Sequence, residues 1–446
     1  MTGIKSAISK KIQKHVFNYC LVFLIILNII FFTNPHESFS LDSSIEENSE
    51  LLCDIYEFEI DNEDSTDDYI NVTAESAIVI EYDTEEILWE KNSSKSMYPA
   101  SITKILTAIV AIENIDDFNE ITTISKNASG RNNSFFRFDT GDEISLIDLL
   151  KASLVSSHNN ATIALAEYVS GNVDDFVKLM NLKAREIGAK DTFLQNTNGL
   201  DAEFPDHKTT SKDIAIITKY CLENILFRNI VNISEDVIKI NDEEIDIFNT
   251  NILLKYDYIK GVKTGYTKNA GFCLVIYSEK DDLKIITVIL NSLKDTREKD
   301  ALKINNWIYN NFKYTEIVDS DNIFKTIKVG DISKIEIDLY PDSDFTKLIN
   351  TASDEIYLED TLINNFKLPV LENQVFGTLD ININGNSEKE LKLITKDFVE
   401  EPFIYQELST ENERRTRKIL FFIIAFYFFV FIFIIIRNLF SRKIYE

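Results

Sequence analysis

The chain has 446 residues, 45% of them hydrophobic, and carries 73 acidic against 46 basic side chains for a net charge of -27. That length allows two or three domains with ample core, and so acidic a surface repels phosphate backbones, which argues against a nucleic-acid partner. Four cysteines (Cys20, Cys53, Cys221, Cys273) lie far apart without metal-ligand spacing, and four histidines (His15, His36, His158, His207) form no cluster. The sequence therefore gives no sign of a disulfide framework, a zinc site or a histidine-based triad, and calls for no metal or other cofactor.

In chain order, Lys5, Lys10, Lys11 and Lys14 precede an apolar run from Val16 to Phe32, which reads as a secretory signal or an uncleaved anchor. Residues 41–71 form an acidic tether; from Leu41 to Tyr69 there are twelve acidic side chains and no Lys or Arg. Ser76–Tyr82 and Ile87–Trp89 read as a hairpin with Asp83–Glu86 as its turn. Then Ile102, Ile105, Leu106, Ile109 and Val110 fall at helical spacing, so an amphipathic helix follows Pro99, with its apolar stripe toward a core.

Ser145 is placed to cap a helix through Leu150, and a further apolar helix runs through Leu165 and Tyr168. The stripe Val173, Phe176, Val177, Met180, Ala184 and Ile187 stops at Gly188, and Ser211–Leu226 is helical again. Phe272–Tyr277 and Lys284–Leu290 are buried-strand runs, and Arg297–Phe312 is a closing helix. Strands at both ends with helices between imply one α/β domain whose sheet sets the first hairpin beside the last strands. From Tyr314 to Val399 short alternating runs indicate a small all-β domain. Ile419–Ile436 is uncharged and long enough to span a bilayer, with Arg437, Arg442 and Lys443 after it and Arg414, Arg415, Arg417 and Lys418 before it.

Three short motifs carry the chemistry. Ser101 and Lys104 stand one helical turn apart, a spacing at which a neutral amine can take the proton of a hydroxyl. Ser157 and Asn159 form a Ser-x-Asn at a helix junction, and Lys263-Thr264-Gly265 leads into the Phe272 strand. Taken singly these have plain structural readings: Ser101 as an N-cap, Lys104 as a solvated charge, Ser157 and Asn159 as a turn pair, Lys263 as an edge-strand cation.

Together and in this order the motifs are the signature of penicillin-binding proteins and serine β-lactamases. The chain resembles the low-molecular-weight penicillin-binding proteins that are serine D-alanyl-D-alanine carboxypeptidases of the S11 peptidase kind. The likeness runs from Ala77 to Phe312 through Pro99–Lys104, the Ser157 segment, Met180-Asn181, Asn198-Gly199-Leu200, Gly261–Thr267, Ala270-Gly271-Phe272 and Arg297. It extends into the β-domain at Leu368-Pro369-Val370 and Gly377-Thr378-Leu379.

The resemblance implies an antiparallel sheet flanked by an all-helical subdomain, then a small all-β domain; the apolar runs at the two ends of the chain are read as membrane segments. It implies a catalytic set of Ser101, Lys104, Ser157, Asn159 and Lys263, with Thr264, Gly265 and Tyr266 binding substrate. The expected substrate is a peptidoglycan stem peptide, with β-lactams as covalent inhibitors. The enzyme is expected at the cytoplasmic membrane, with its catalytic domain on the extracytoplasmic face and a single-pass C-terminal anchor.

The boundaries expected are 1–40 for the signal or anchor, 41–71 for the tether, 72–313 for the catalytic domain and 314–400 for the β-domain. A linker follows over 401–418, then a membrane helix over 419–436 and a cytoplasmic tail over 437–446. Against the family's pattern, Glu85-Glu86 occupy a hairpin turn where glycine is usual, and Asn160 stands where an acidic residue is common. A full C-terminal span also differs from members that end in an amphipathic helix. A β-lactamase and a catalytically silent wall-binding scaffold are the alternative functions.

Overall fold

The computed structural model describes residues 70–130, 135–330, 334–363, 366–400 and 403–442. The expected signal or anchor and almost all of the acidic tether lie outside the described residues, as do Cys20 and Cys53.

Strands β1 (Ser76–Glu81) and β2 (Ile87–Lys91) form the opening hairpin, and Glu85 takes φ 62° in its turn. That left-handed conformation costs a side-chain-bearing residue about 1–2 kcal/mol, which is the physical reason for a glycine preference there. A 3₁₀ turn over Ala100–Ile102 runs directly into helix α1 (Thr103–Glu113). Strands β3 (Ile121–Thr123) and β4 (Glu143–Ser145) lead to helices α2 (Leu146–Leu154), α3 (Asn159–Ser170) and α4 (Val173–Glu186). Helices α5 (Ser211–Glu223) and α6 (Ile225–Val231) come next, followed by the hairpin β5 (Glu235–Ile240) and β6 (Glu243–Phe248). Strands β7 (Ile259–Thr267), β8 (Gly271–Lys280) and β9 (Leu283–Ser292) and helix α7 (Arg297–Asn311) complete the domain.

The main sheet has the order β2-β1-β9-β8-β7 and is antiparallel throughout. The first hairpin therefore lies against the last strand, as expected, with Ala77 opposite Ile289 and Val79 opposite Thr287. Every residue of β1 is buried, because the sheet is covered on both faces. Ile78 and Ile80 point into the core shared with the helical subdomain, while Ala77 and Val79 point into a second core with Ala301, Ile304 and Ile308 of α7.

Helix α1 departs from the amphipathic expectation. All its residues from Thr103 to Ile112 are buried, so it is a central helix surrounded by packing rather than a surface helix with one apolar stripe. Its polar members, Thr103, Lys104 and Thr107, are each hydrogen-bonded. Ser145 caps α2 by accepting from Asp148 N, as its position suggested. The single helix expected over Ser211–Leu226 is instead two, broken at Asn224, whose extended backbone ends α5 while its side chain caps α6.

The C-terminal β-domain pairs β10 (Phe312–Val318) with β13 (Phe345–Asn350). Its larger sheet is built from β11 (Lys325–Val329), β12 (Ile335–Pro341), β14 (Ile356–Leu362), β15 (Val375–Ile383) and β16 (Asn386–Ile394), in the order β11-β12-β16-β15-β14. Val318, Leu339, Phe376, Leu379, Ile381 and Leu393 are among the residues that fill its own core. Helix α8 (Phe403–Arg442) follows, and its stretch Glu411–Ile434 is long and apolar enough to cross a membrane. Ile419, Phe421, Phe422, Phe426 and Phe429 are among its exposed side chains, a surface suited to lipid rather than to water.

Candidate active site

The site is organised around the Nζ of Lys104, at the first turn of α1. The side chain is fully buried, and among the described residues its Nζ has four oxygen neighbours: Ser101 Oγ at 2.7 Å, Asn159 Oδ1 at 2.7 Å, Asn198 O at 3.3 Å and Ser157 Oγ at 3.4 Å. Burial holds its pKa well below the ordinary lysine value, and the charge of Lys263 pushes it further in the same direction. A neutral amine has two N–H donors and one lone pair. Asn159 Oδ1 and Asn198 O can only accept, so in the neutral form they would take the two N–H groups, and the lone pair would be available to a neighbouring hydroxyl.

Ser101 does not cap the helix. It sits inside the 3₁₀ turn, and neither that turn nor α1 has a side-chain hydrogen bond at its N-cap. The plain readings of Ser101 as a cap and of Lys104 as a solvated charge therefore fail. The turn itself is unusual, since Ala100 takes φ 48° while completely buried. Gly199 explains how that is tolerated: a Cβ on it would stand 1.7 Å from Ala100 O, so only glycine leaves room for this carbonyl.

Ser157 and Asn159 lie at the junction of α2 and α3. Ser157 takes φ 59°, a strained setting for serine, and the chain around it is tied back by His158 N and Ser156 Oγ, both donating to Ala152 O. His158 is buried between Phe136 and Phe138, with ring centroids 4.5 Å from each, and its Nε2 lies 3.1 Å from Phe136 O. Burial lowers its pKa to about 4, so the ring is neutral and shapes the junction without adding charge. Asn160 binds Ser129 O through Nδ2 at 2.8 Å, a bond that a carboxylate at this position could not donate.

Strand β7 supplies the third motif. Lys263 is fully buried and donates to Thr264 O at 3.2 Å, and the Thr264 hydroxyl lies 2.6 Å from that of Thr250. A Cβ on Gly265 would come within 3.1 Å of Ser101 N and 3.2 Å of Pro99 O, so the strand lies directly against the Ser101 turn. Lys263, two residues earlier, shares that face of the strand. Tyr266 is exposed and stacks on Phe272 at 4.4 Å, so its side chain is at the rim. Thr267 Oγ1 donates to Asp201 at 2.5 Å and Asn269 Nδ2 donates to it at 3.2 Å, which joins β7 to the Asn198-Gly199 loop.

Burial, with a smaller contribution from Arg297, lowers the pKa of Lys263 to about 7. Because the unfolded state keeps the ordinary lysine value, stability rises with pH from about 7 toward that value, and the cost of burying the charge is greatest below pH 7. Replacing Lys263 by methionine is expected to stabilise the fold by about 2–4 kcal/mol at pH 6, since each pKa unit is worth about 1.4 kcal/mol and the bond to Thr264 O returns about 1. Melting curves at pH 6 and pH 9 check this: the gain should be larger at pH 6, and a loss of stability at pH 6 would contradict it.

Of the eight residues singled out from the sequence, Ser101, Lys104, Ser157 and Asn159 are joined by hydrogen bonds, Gly265 lies against the Ser101 turn with Lys263 and Thr264 on the same strand, and the Tyr266 side chain stands at the rim. Thr103, Thr250, Asp201 and His207, and the roles of Asn198 and Gly199, emerge only from the structure. The signals for the last two are an Asn-Gly turn and the Asn198-Gly199-Leu200 segment of the family likeness. Residues 62–294, more than half of the chain, match the peptidase S11 family, described as D-alanyl-D-alanine carboxypeptidase. The chain belongs to this family of peptidoglycan serine hydrolases.

Residues 312–401 match the C-terminal domain of penicillin-binding protein 5. D-alanyl-D-alanine carboxypeptidase DacF of Bacillus subtilis is 29% identical over 333 residues, covering 73% of this chain and 85% of the relative. DacC of Escherichia coli is 29% identical over 350 residues, covering 74% and 85%. The crystal structure of penicillin binding protein 5 from Haemophilus influenzae superposes with a TM-score of 0.56 at 26% identity, covering 75% of this chain and 99% of that one. The carboxypeptidase family thus accounts for both globular domains, in the order expected from the sequence. It acts on peptidoglycan peptides and binds β-lactams.

Proposed function

We propose that this carboxypeptidase removes the terminal D-alanine of stem pentapeptides through an acyl-enzyme on Ser101, and so limits cross-linking. The observation that carries this reading is the convergence of Ser101 Oγ, Asn159 Oδ1 and Asn198 O on the buried Lys104 Nζ, whose lowered pKa favours the neutral amine that can take the Ser101 proton. Ser101 Oγ attacks the carbonyl between the two D-alanines while Lys104 takes the proton. Ser157 passes a proton to the departing amine, and Asn159 orients Lys104 and the substrate amide.

The backbone N–H groups of Ser101 and Tyr266 stabilise the tetrahedral oxyanion. Lys263 and Thr264 hold the substrate carboxylate, and Gly265 keeps the strand clear of side chains beside the reacting bond. An incoming carboxylate raises the Lys263 pKa again, so substrate binding restores its charge. Water then hydrolyses the ester. A β-lactam follows the same first step, and its ester leaves slowly.

The catalytic domain lies on the extracytoplasmic face. The apolar part of α8 anchors it in the cytoplasmic membrane, and the last residues return to the cytoplasm. Arg414, Arg415, Arg417 and Lys418 on the outer side contact anionic lipid or wall polymer. The division into a tether to residue 71, a catalytic domain over 72–313 and a β-domain over 314–400 belongs to the same reading.

The deciding experiment incubates the protein with penicillin, digests it and locates the adduct by mass spectrometry, alongside D-alanine release from diacetyl-lysyl-D-Ala-D-Ala. The adduct is expected on the peptide containing Ser101, with slow turnover. An adduct elsewhere overturns the assignment. Rapid penicillin hydrolysis identifies a β-lactamase, and labelling without D-alanine release identifies a scaffold.

A further inference from the structure

His207 has no part in the reaction described above, yet it is completely buried and connected to the peptide that carries the nucleophile. Gln195 N donates to His207 Nδ1 at 3.0 Å, which leaves the ring proton on Nε2. Nε2 lies 2.9 Å from Thr103 Oγ1, and the Thr103 hydroxyl donates in turn to Ala100 O at 2.9 Å. Burial lowers the His207 pKa to about 4, so the neutral ring has a single donor and the bonds run in one direction, from His207 to Thr103 to Ala100. The histidine is itself held in register, because Lys208 bridges to Phe193 and Thr209 to Met97 immediately after it.

The far end of this chain of bonds falls on the strained residue of the site. The Ala100 carbonyl receives both the hydroxyl and the backbone N–H of Thr103 on one side and faces Gly199 on the other, at a distance no side chain would permit. Ala100 C=O and Ser101 N–H belong to one planar trans peptide unit and point in opposite directions. Fixing the carbonyl therefore aims the N–H. We propose that His207 is a positioning residue that acts through Thr103 to hold the Ala100–Ser101 peptide with its N–H turned toward the developing oxyanion. This rests on Ser101 being the nucleophile.

The test uses the full chain in detergent, with penicillin acylation rates and kcat and KM for D-alanine release. Thr103→Val keeps the shape of the side chain and removes its hydroxyl. It should lower acylation and kcat by about 10–100-fold, a fraction of the 10²–10³ that loss of an oxyanion donor costs, while KM stays within about 3-fold. Thr103→Ser keeps the hydroxyl and should stay within about 3-fold of wild type in both. His207→Gln, with an amide N–H near the place of Nε2, should retain more activity than His207→Asn.

The double variant Thr103→Val/His207→Asn should be no slower than its worse single parent, because both break one relay. Acylation of Thr103→Val at the wild-type rate, or a loss confined to KM, overturns the relay. A wild type that is not acylated at Ser101 overturns the nucleophile assignment instead and takes this inference with it. If the His207 variants do not fold, the Thr103 pair decides alone.

Discussion

Ser101→Ala is expected to abolish both D-alanine release and covalent penicillin binding, by about 10⁴-fold or more, while leaving the melting temperature within a few degrees of wild type. The size follows from the chemistry: without the hydroxyl no acyl-enzyme forms, and only binding and the backbone donors remain. The stability follows from the surroundings. Ser101 is only partly buried and its side chain bonds to Lys104, which keeps Asn159 and Asn198 as partners after the change. Calorimetry with a fluorescent-penicillin gel separates the two readouts. Residual labelling at the wild-type rate would remove Ser101 from the reaction.

Lys104→Met should slow acylation by about 10²–10⁴-fold, the usual range for a positioned general base. Methionine matches the length and burial of the lysine chain, so the core stays filled. Two acceptors, Asn159 Oδ1 and Asn198 O, lose a donor at about 1–3 kcal/mol each, and removal of a buried amine offsets part of that. In the wild type the acylation rate should rise with pH as Lys104 loses its proton and reach its plateau well below the usual lysine range, because burial and Lys263 both favour the neutral form. Lys104→Met should show neither the rate nor this rise. An unchanged profile would assign the base to another group.

Much of the fold was legible because its signals are local. The strand runs at Ser76, Phe272 and Lys284, the stripe on α4 and the Ser145 cap each depend on residues close in sequence, and each appears where periodicity or capping put it. The β5–β6 hairpin carries little sequence signal because its strands are short and largely exposed, with charged residues at most outward positions. The break at Asn224 was hidden by apolar residues that continue across it.

In the site, the three motifs were visible as text, but the state of Lys104 was not. A lysine one turn from a serine reads alike whether it is solvated or enclosed, and the enclosure comes from Asn159 and Asn198, far along the chain. His207 is inconspicuous in the sequence for a similar reason. As a lone histidine it carries no motif, and its partner Thr103 lies about a hundred residues away.

The pairing of β1 with β9 also constrains how the protein is made. Because the opening hairpin must wait for the last strand of the sheet before either can close its hydrogen-bond ladder, a nascent chain cannot assemble this domain from its N-terminus onward. The turn bearing Ser101, which leans on β7 near the end of the same sheet, stays unsupported over that interval. Translation of nearly the whole domain thus precedes any reactive serine, and a chain truncated before β9 should accumulate as a target for proteases rather than as a weak enzyme.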